Sequence, residues 1–249
     1  MEIHKILILN LLGIGAGFIN TIGGGGSVIT VSMMIFFGMP SAVANGTNRV
    51  ALLIQNISAV YSFKRKNCFD LKMNLNLAIP AVVGSIIGSN IAVNISDQVF
   101  NKILVIIMIL ILFQILLNPQ KKLQDIKGET GLKYRIPGQI VFFFIGLYGG
   151  IIQVGVGFII IAAMSLLTDC DLVRINAAKV FIVGAYTISS LLVFIINGKV
   201  DFFLGFCLAV GNGIGAYLGS IFAVSKGEKW IKILLTIMIL AMVIWFLVQ

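Results

Sequence analysis

Ile22-Gly23-Gly24-Gly25-Gly26-Ser27 stands where one apolar run, residues 5–22, gives way to another, residues 26–38. Consecutive glycines lose much conformational entropy on ordering and carry no side chains, so the run predicts a helix interrupted inside apolar sequence. Bare backbone lets a ligand come close. A helix that begins after the break turns unpaired N–H groups and the positive end of its dipole toward it, an arrangement suited to an anion. A thinner version, Gly155-Val156-Gly157, opens the run 156–168. Small residues also serve close helix packing, which is the use expected of Gly84/Gly88 and Gly211/Gly215/Gly219 at four-residue spacing. Four glycines in a row exceed what packing asks for, so Gly23–Gly26 are read as a break that lines a substrate site.

Outward from that break, apolar runs of spanning or near-spanning length cover 5–22, 26–38, 42–62, 71–94 and 99–118, then 137–153, 156–168, 174–196, 202–224 and 230–248. The 249 residues are 59% hydrophobic and 11% charged, with a mean hydropathy of +1.08. Soluble domains run near about 25% charged. A soluble enzyme and a secreted disulfide scaffold are excluded, and an all-α, polytopic membrane protein is expected. The runs 26–38 and 156–168 are too short to cross: 13 residues make about 20 Å of helix against a hydrocarbon core of about 30 Å. They are expected as two short, broken helices that tilt, thin the bilayer or line a cavity, as broken helices in transporters do.

Shifting the second half onto the first by 131 residues aligns Asn45 with Asn176, Ser58 with Ser189, Asp70 with Asp201, Gly84 with Gly215, Gly88 with Gly219 and Ser89 with Ser220. Upstream, a shift of 132 pairs Gly17 with Gly149, Gly23 with Gly155 and Gly25 with Gly157. The chain reads as two homologous repeats of five segments: a first membrane repeat over 1–118, a basic cytoplasmic linker over 119–136, and a second membrane repeat over 137–249. An odd number of crossings per repeat inverts one repeat relative to the other. Inversion puts the Lys64-Arg65-Lys66 loop, the linker and Lys226, Lys229 and Lys232 on one side, as the enrichment of Lys and Arg in cytoplasmic loops favours, with both termini outside; parallel repeats would leave that later Lys cluster outside.

That enrichment accounts for most of the net charge of +9, from 18 Lys plus Arg against 9 Asp plus Glu, and a nucleic-acid partner is not expected. Two cations lie inside apolar sequence. Arg49 follows Asn45-Gly46-Thr47-Asn48, and Lys179 follows Asn176-Ala177-Ala178 at the neighbouring position of the second repeat. An intramembrane cation costs several kcal/mol and is commonly functional, although one near a helix start can also snorkel to the headgroups. All nine acids, by contrast, fall at segment ends or in loops. A cation or proton carrier needs a buried carboxylate, so the composition favours an anion. Asp70 and Asp201 are expected to cap the helices that follow them. Catalysis has nothing to stand on, with a single histidine, His4, and Cys68, Cys170 and Cys207 scattered; neither a metal nor a cofactor is implied, and the chain is not expected to be an enzyme.

The paired glycine breaks, Gly38-Met39-Pro40, the Ala44-Asn45-Gly46-Thr47-Asn48 helix start, the basic loop closing on Asp70 and the repetition of the whole resemble the TauE/SafE family of membrane anion transporters, within the toluenesulfonate uptake permease superfamily. The likeness covers nearly the whole chain, with Gly23–Gly26 and Asn45–Asn48 as its strongest parts; Val156 and Asn176-Ala177-Ala178-Lys179 depart from it. The resemblance implies a multi-pass protein of the cell membrane, in bacteria the inner membrane, that moves sulfite, sulfonates or related sulfur oxyanions by alternating access. The expected substrate site lies between the repeats, formed by Gly23, Gly24, Gly25, Gly26, Asn45, Thr47, Asn48 and Arg49 with Gly155, Gly157, Asn176 and Lys179. Replacing Arg49 with Ala is then expected to weaken transport more than folding. A passive anion channel and a non-transporting membrane assembly partner share this composition and stand as alternatives.

Overall fold

A computed structural model of the protein describes residues 3–100, 102–103, 106, 135–168 and 170–248. The described residues form α1 (Ile3–Ile22), α2 (Gly26–Phe36), α3 (Ser41–Arg65), α4 (Leu71–Ala92), α5 (Arg135–Ile151), α6 (Val156–Leu167), α7 (Leu172–Ile196) and α8 (Phe202–Val248), and no strand occurs among them. Most of the segment expected over 99–118, and all but the last two residues of the linker over 119–136, lie outside the described residues.

The two short helices are where the apolar runs were too short: α2 has 11 residues and α6 has 12. At 1.5 Å per residue they reach about 17 and 18 Å, little more than half a bilayer core. One boundary differs from expectation. The runs 202–224 and 230–248 belong to a single continuous helix, α8, of 47 residues. Ser225-Lys226-Gly227-Glu228-Lys229 interrupts the apolar pattern but holds no proline and only one glycine, which costs a helix about 1 kcal/mol. A polar patch ends an apolar run without ending a helix.

Helix ends follow local chemistry. Asn67, at φ 55°, and Gly198, at φ 64°, close α3 and α7 in the left-handed conformation. The next amides, Cys68 N–H and Lys199 N–H, donate back to the carbonyls of Phe63 (3.3 Å) and Phe194 (2.9 Å), the signature of a Schellman cap. Three residues after each left-handed residue, Asp70 and Asp201 cap the next helix as expected, accepting from Met73 N–H and Leu204 N–H, both at 3.0 Å. Asp171 caps α7 likewise, through Arg174 N–H.

Packing is reciprocal: α1 lies on α8 and α5 on α4, while α3 lies on α8 and α7 on α4. The glycines spaced by four make the first two contacts possible. A methyl on Gly84 would sit 2.1 Å from the Phe143 carbonyl oxygen and one on Gly88 2.0 Å from that of Leu147, so α4 and α5 touch backbone to backbone. Gly211 and Gly215 bring α8 equally close to the carbonyls of Asn10 and Ile14 on α1. The other faces of these helices are apolar and exposed, with Ile79 and Val83 on α4 and Phe203, Phe206 and Val210 on α8. Leu71–Ala92, Leu172–Ile196 and Phe202–Lys226 are each long and apolar enough to cross a membrane. Such helices, glycine-faced inward and aliphatic outward, suit a multi-pass membrane protein. The most polar helix, α3, is unsuited to lipid and sits among α1, α2, α7 and α8, with Asn45, Thr47, Asn48, Arg49, Gln55 and Asn56 all buried.

Candidate functional site

The site begins where α1 stops. Gly23 N–H and Gly24 N–H both turn back to the Ile19 carbonyl, at 2.8 and 3.2 Å, and Gly24 then adopts φ +102°, a conformation that glycine takes without strain. The chain re-enters helix at Gly26, with Gly25 as N-cap. In the second half, Gly155 is the N-cap of α6. The two breaks meet: a methyl on Gly24 would lie 2.2 Å from the Gly157 Cα, and one on Gly157 would lie 2.4 Å from the Gly24 Cα. Gly26 is as tightly placed against the Ala16 carbonyl oxygen. Packing therefore requires three of the glycines that sequence alone assigned to a ligand, and Gly24 and Gly157 do both jobs, because they also line a cavity at the meeting point.

That cavity, about 20 Å3, gathers side chains from five helices and the second break: Asn20 of α1, Ser27 of α2, Leu52, Gln55 and Asn56 of α3, Gln153 ahead of α6, Val156 of α6, and Lys179, Val183 and Tyr186 of α7. A network of amides holds its wall. Asn20 Nδ2 donates to Gln55 Oε1 (3.2 Å) and Ser27 Oγ (3.3 Å), while Asn20 Oδ1 accepts from Ser27 N–H (3.2 Å). Asn212 Nδ2 of α8 also donates to Gln55 Oε1, at 3.3 Å. Across the cavity, Gln153 Nε2 donates to Thr187 Oγ1 at 2.9 Å, and Gln153 Oε1 is buried with no hydrogen-bond partner. A volume of this size accommodates about one water molecule.

Both sequence-predicted cations are buried, Arg49 at 0% and Lys179 at 2% exposure, so neither snorkels. Among the described residues no carboxylate pairs with either. Each instead caps the helix that ends at the other half's break. Arg49 Nη2 donates to the carbonyls of Gly149 (3.2 Å) and Gly150 (2.6 Å) at the end of α5, and Asn45 Nδ2 takes the next carbonyl, that of Ile151, at 2.7 Å. Lys179 Nζ donates to the carbonyls of Asn20 (3.0 Å) and Thr21 (2.8 Å) at the end of α1, and to Asn176 Oδ1 at 2.7 Å. The last carbonyls of a helix lack intrahelical donors and carry the negative end of its dipole, so a cation there is stabilised without a carboxylate. The equivalent carbonyls lie 129 residues apart, about one helical turn from the register of 132 that aligns the glycines.

The two caps are unequal. Arg49 is pinned further by Ser190 Oγ, at 2.7 Å from Nη1, and by the Phe194 ring, 4.6 Å from its guanidinium carbon. Lys179 has no such additional anchor among the described contacts, and Asn176 Nδ2, the counterpart of the amide that completes the α5 cap, is buried with no partner.

Of the residues expected at the site, Gly24, Gly157 and Lys179 line the cavity; Gly23, Gly25, Gly26 and Gly155 shape the breaks, and Asn45, Arg49 and Asn176 serve the caps. Asn48 Oδ1 accepts from Thr30 Oγ1 at 2.7 Å and ties α3 to α2. Thr47 is turned elsewhere, its Oγ1 accepting from Asp201 N–H (2.9 Å) at the start of α8. Sequence reasoning missed Asn20, Ser27, Gln153, Tyr186 and Asn212. The signal for the first was an amide one turn before the glycine run, and for Gln153 an amide two residues before Gly155.

Compared with known proteins, residues 9–246 match the family model described as sulfite exporter TauE/SafE. The chain is 30% identical over 236 residues to a probable membrane transporter protein of Haemophilus influenzae, an alignment spanning 95% of this chain and 92% of the relative. It is 28% identical over 244 residues to the probable membrane transporter protein ORF9 of a Sinorhizobium species, with 98% and 93% covered. With the probable membrane transporter protein YfcA of Escherichia coli K12 it shares 31% over 225 residues, covering 89% and 82%. No solved structure matches the chain significantly.

Proposed function

The chain belongs to the TauE/SafE family, whose relatives are named as probable membrane transporters, and on that premise we propose that it carries a small oxyanion, sulfite or a short sulfonate, across the bilayer by alternating access. It is a multi-pass membrane protein, and its bacterial relatives fit placement in the inner membrane. One observation carries the anion reading: two fully buried cations, Arg49 and Lys179, face no carboxylate among the described residues, while every carboxylate given a hydrogen bond there accepts from a backbone amide at a helix start. An isolated buried charge is costly, and helix ends relieve only part of that cost. An anion supplies the rest. The family's description supports sulfur oxyanions as the class.

Alternating access rests on two further features. The cavity lies where the two breaks meet and takes side chains from both halves of the chain, as suits a site reached from each side in turn. The matched ends of α3 and α7 and the reciprocal packing of α1 on α8 and α5 on α4 support two inverted repeats, the organisation in which a central site is exposed to each side in turn. In this reading residues 1–118 and 137–249 are the repeats, and the linker 119–136 is cytoplasmic.

Purified protein in proteoliposomes, offered sulfite, sulfate, thiosulfate and short sulfonates, tests the proposal. Flux of at least one sulfur anion above protein-free vesicles, accelerated by the same anion on the far side, is the expected result. No flux removes the anion reading; flux without counterflow makes the protein a channel.

A further inference from the structure

The two reciprocal caps differ in a way that assigns them different work. Arg49 and Asn45 together satisfy three consecutive carbonyls of α5, those of Gly149, Gly150 and Ile151, and Arg49 is held from its other side by Ser190 and Phe194. It is not among the residues that line the cavity. Lys179 does line it, and its ammonium has spent all three of its donors, two on α1 carbonyls and one on Asn176. An anion that reaches Lys179 must therefore take a proton donor from one of those acceptors. Asn176 Oδ1 sits on the next turn of the same helix, so the partners that separate most readily are the carbonyls of Asn20 and Thr21, on another helix. Beside them, Asn176 Nδ2 is a buried donor with nothing bound to it.

We propose that Lys179 is a partner-exchanging residue, released from the end of α1 by the bound oxyanion, with Asn176 Nδ2 as a second donor to that anion, and that Arg49 is a permanent clamp on α5. The substrate and the end of α1 compete for one ammonium. Loading the site then uncaps α1 at the glycine break, and α1 with α2, rather than α5 with α6, is the part that yields when the cavity widens. This rests on the anion reading above and adds the cation that senses the anion and the helix that responds.

Amide hydrogen exchange on the full-length protein in lipid vesicles, with and without sulfite, tests it alongside sulfite flux. The reporters are Gly23 N–H and Gly24 N–H, both bonded to the Ile19 carbonyl and freed when the end of α1 frays. In the wild type, sulfite should speed exchange over residues 19–27 severalfold and leave 148–156 unchanged. Lys179→Gln should exchange fast over 19–27 without sulfite and show no response to it. Because that variant can fail to fold, Lys179→Arg is the second arm: a planar fork grips two carbonyls more firmly than an ammonium does, so it should fold, lose the sulfite response and lose most of the flux. Arg49→Lys should loosen 148–156 while the sulfite response at 19–27 persists. A wild-type protein that moves sulfite while both segments respond alike, or a Lys179→Arg variant with wild-type flux and response, would overturn the exchange and leave the anion reading standing. A wild type that neither moves nor responds to any anion of the panel defeats the anion reading itself.

Discussion

Gly24 and Gly157, 133 positions apart in the chain, touch through bare backbone, and neither has room for one more carbon atom: an added methyl would come within 2.2 to 2.4 Å of the other's Cα. Replacing either by Ala must push the two breaks apart. Overpacking of this kind costs about 1–3 kcal/mol, and Gly24 adds the strain of a side chain at φ +102°. Thermal denaturation in detergent should show both variants clearly destabilised. Gly15→Ala is the control, since nothing lies within 4 Å of that position and an exposed helical glycine gains up to about 1 kcal/mol on becoming Ala.

Arg49→Ala should cost folding as well as transport, contrary to what its place in the sequence suggests. The truncation strips donors from two buried carbonyls and from Ser190, and charge-assisted hydrogen bonds are worth roughly 1.5–3 kcal/mol each. Membrane abundance and melting temperature should both fall. Arg49→Lys should recover part of the loss, because it restores the charge without the planar fork.

Asn20→Asp separates charge from shape. The carboxylate keeps the size of the side chain and the acceptor that Ser27 N–H and Oγ use, gives up the donor that Gln55 Oε1 takes, and places a negative charge beside Lys179 in the cavity. Sulfite flux should be lost at near-normal abundance. Retained flux would mean that the anion does not pass this wall.

Thr47→Val tests the expected site residue that the fold turns away. Its hydroxyl supports only the Asp201 amide, so the nearly isosteric change should cost on the order of 1 kcal/mol and leave flux per molecule intact. A specific loss of transport would return Thr47 to the substrate path.

Much of this architecture could be read from residue spacing. The short runs after each glycine break became α2 and α6, the glycines at four-residue spacing became the seams of α4 with α5 and of α8 with α1, and Asp70 and Asp201, each directly before an apolar run, became caps. The site was harder for a geometric reason. Asn45, Thr47, Asn48 and Arg49 are nearly adjacent in sequence, but successive helical residues fan out by about 100°. Asn45 and Arg49, four apart, share a face and reach α5 together, Asn48 turns to Thr30 of α2, and Thr47 turns to the start of α8. Only the rotational setting of α3 among its neighbours reveals this. Asn20 and Gln153 escaped notice because a lone amide in an apolar run looks the same whether it faces lipid, a neighbour or a cavity. The break between 224 and 230 was predicted from polarity, which the backbone of α8 ignores.

Two buried cations with no carboxylate partner among the described residues also carry an electrical consequence. With Lys179 in the ammonium form that its three acceptors match, and with the arginine charged, the centre without substrate bears two positive charges. A charge that crosses the field of a membrane gains or loses about 2.3 kcal/mol per 100 mV. With sulfite aboard as its dianion the centre is close to neutral and voltage has little to act on, whereas a short sulfonate, a monoanion, leaves one charge; with nothing bound, the full two charges feel it. In the proposed cycle, voltage therefore governs the return of the unloaded protein. Exchange of one dianion for another, which skips that return, is indifferent to voltage, whereas net movement is not.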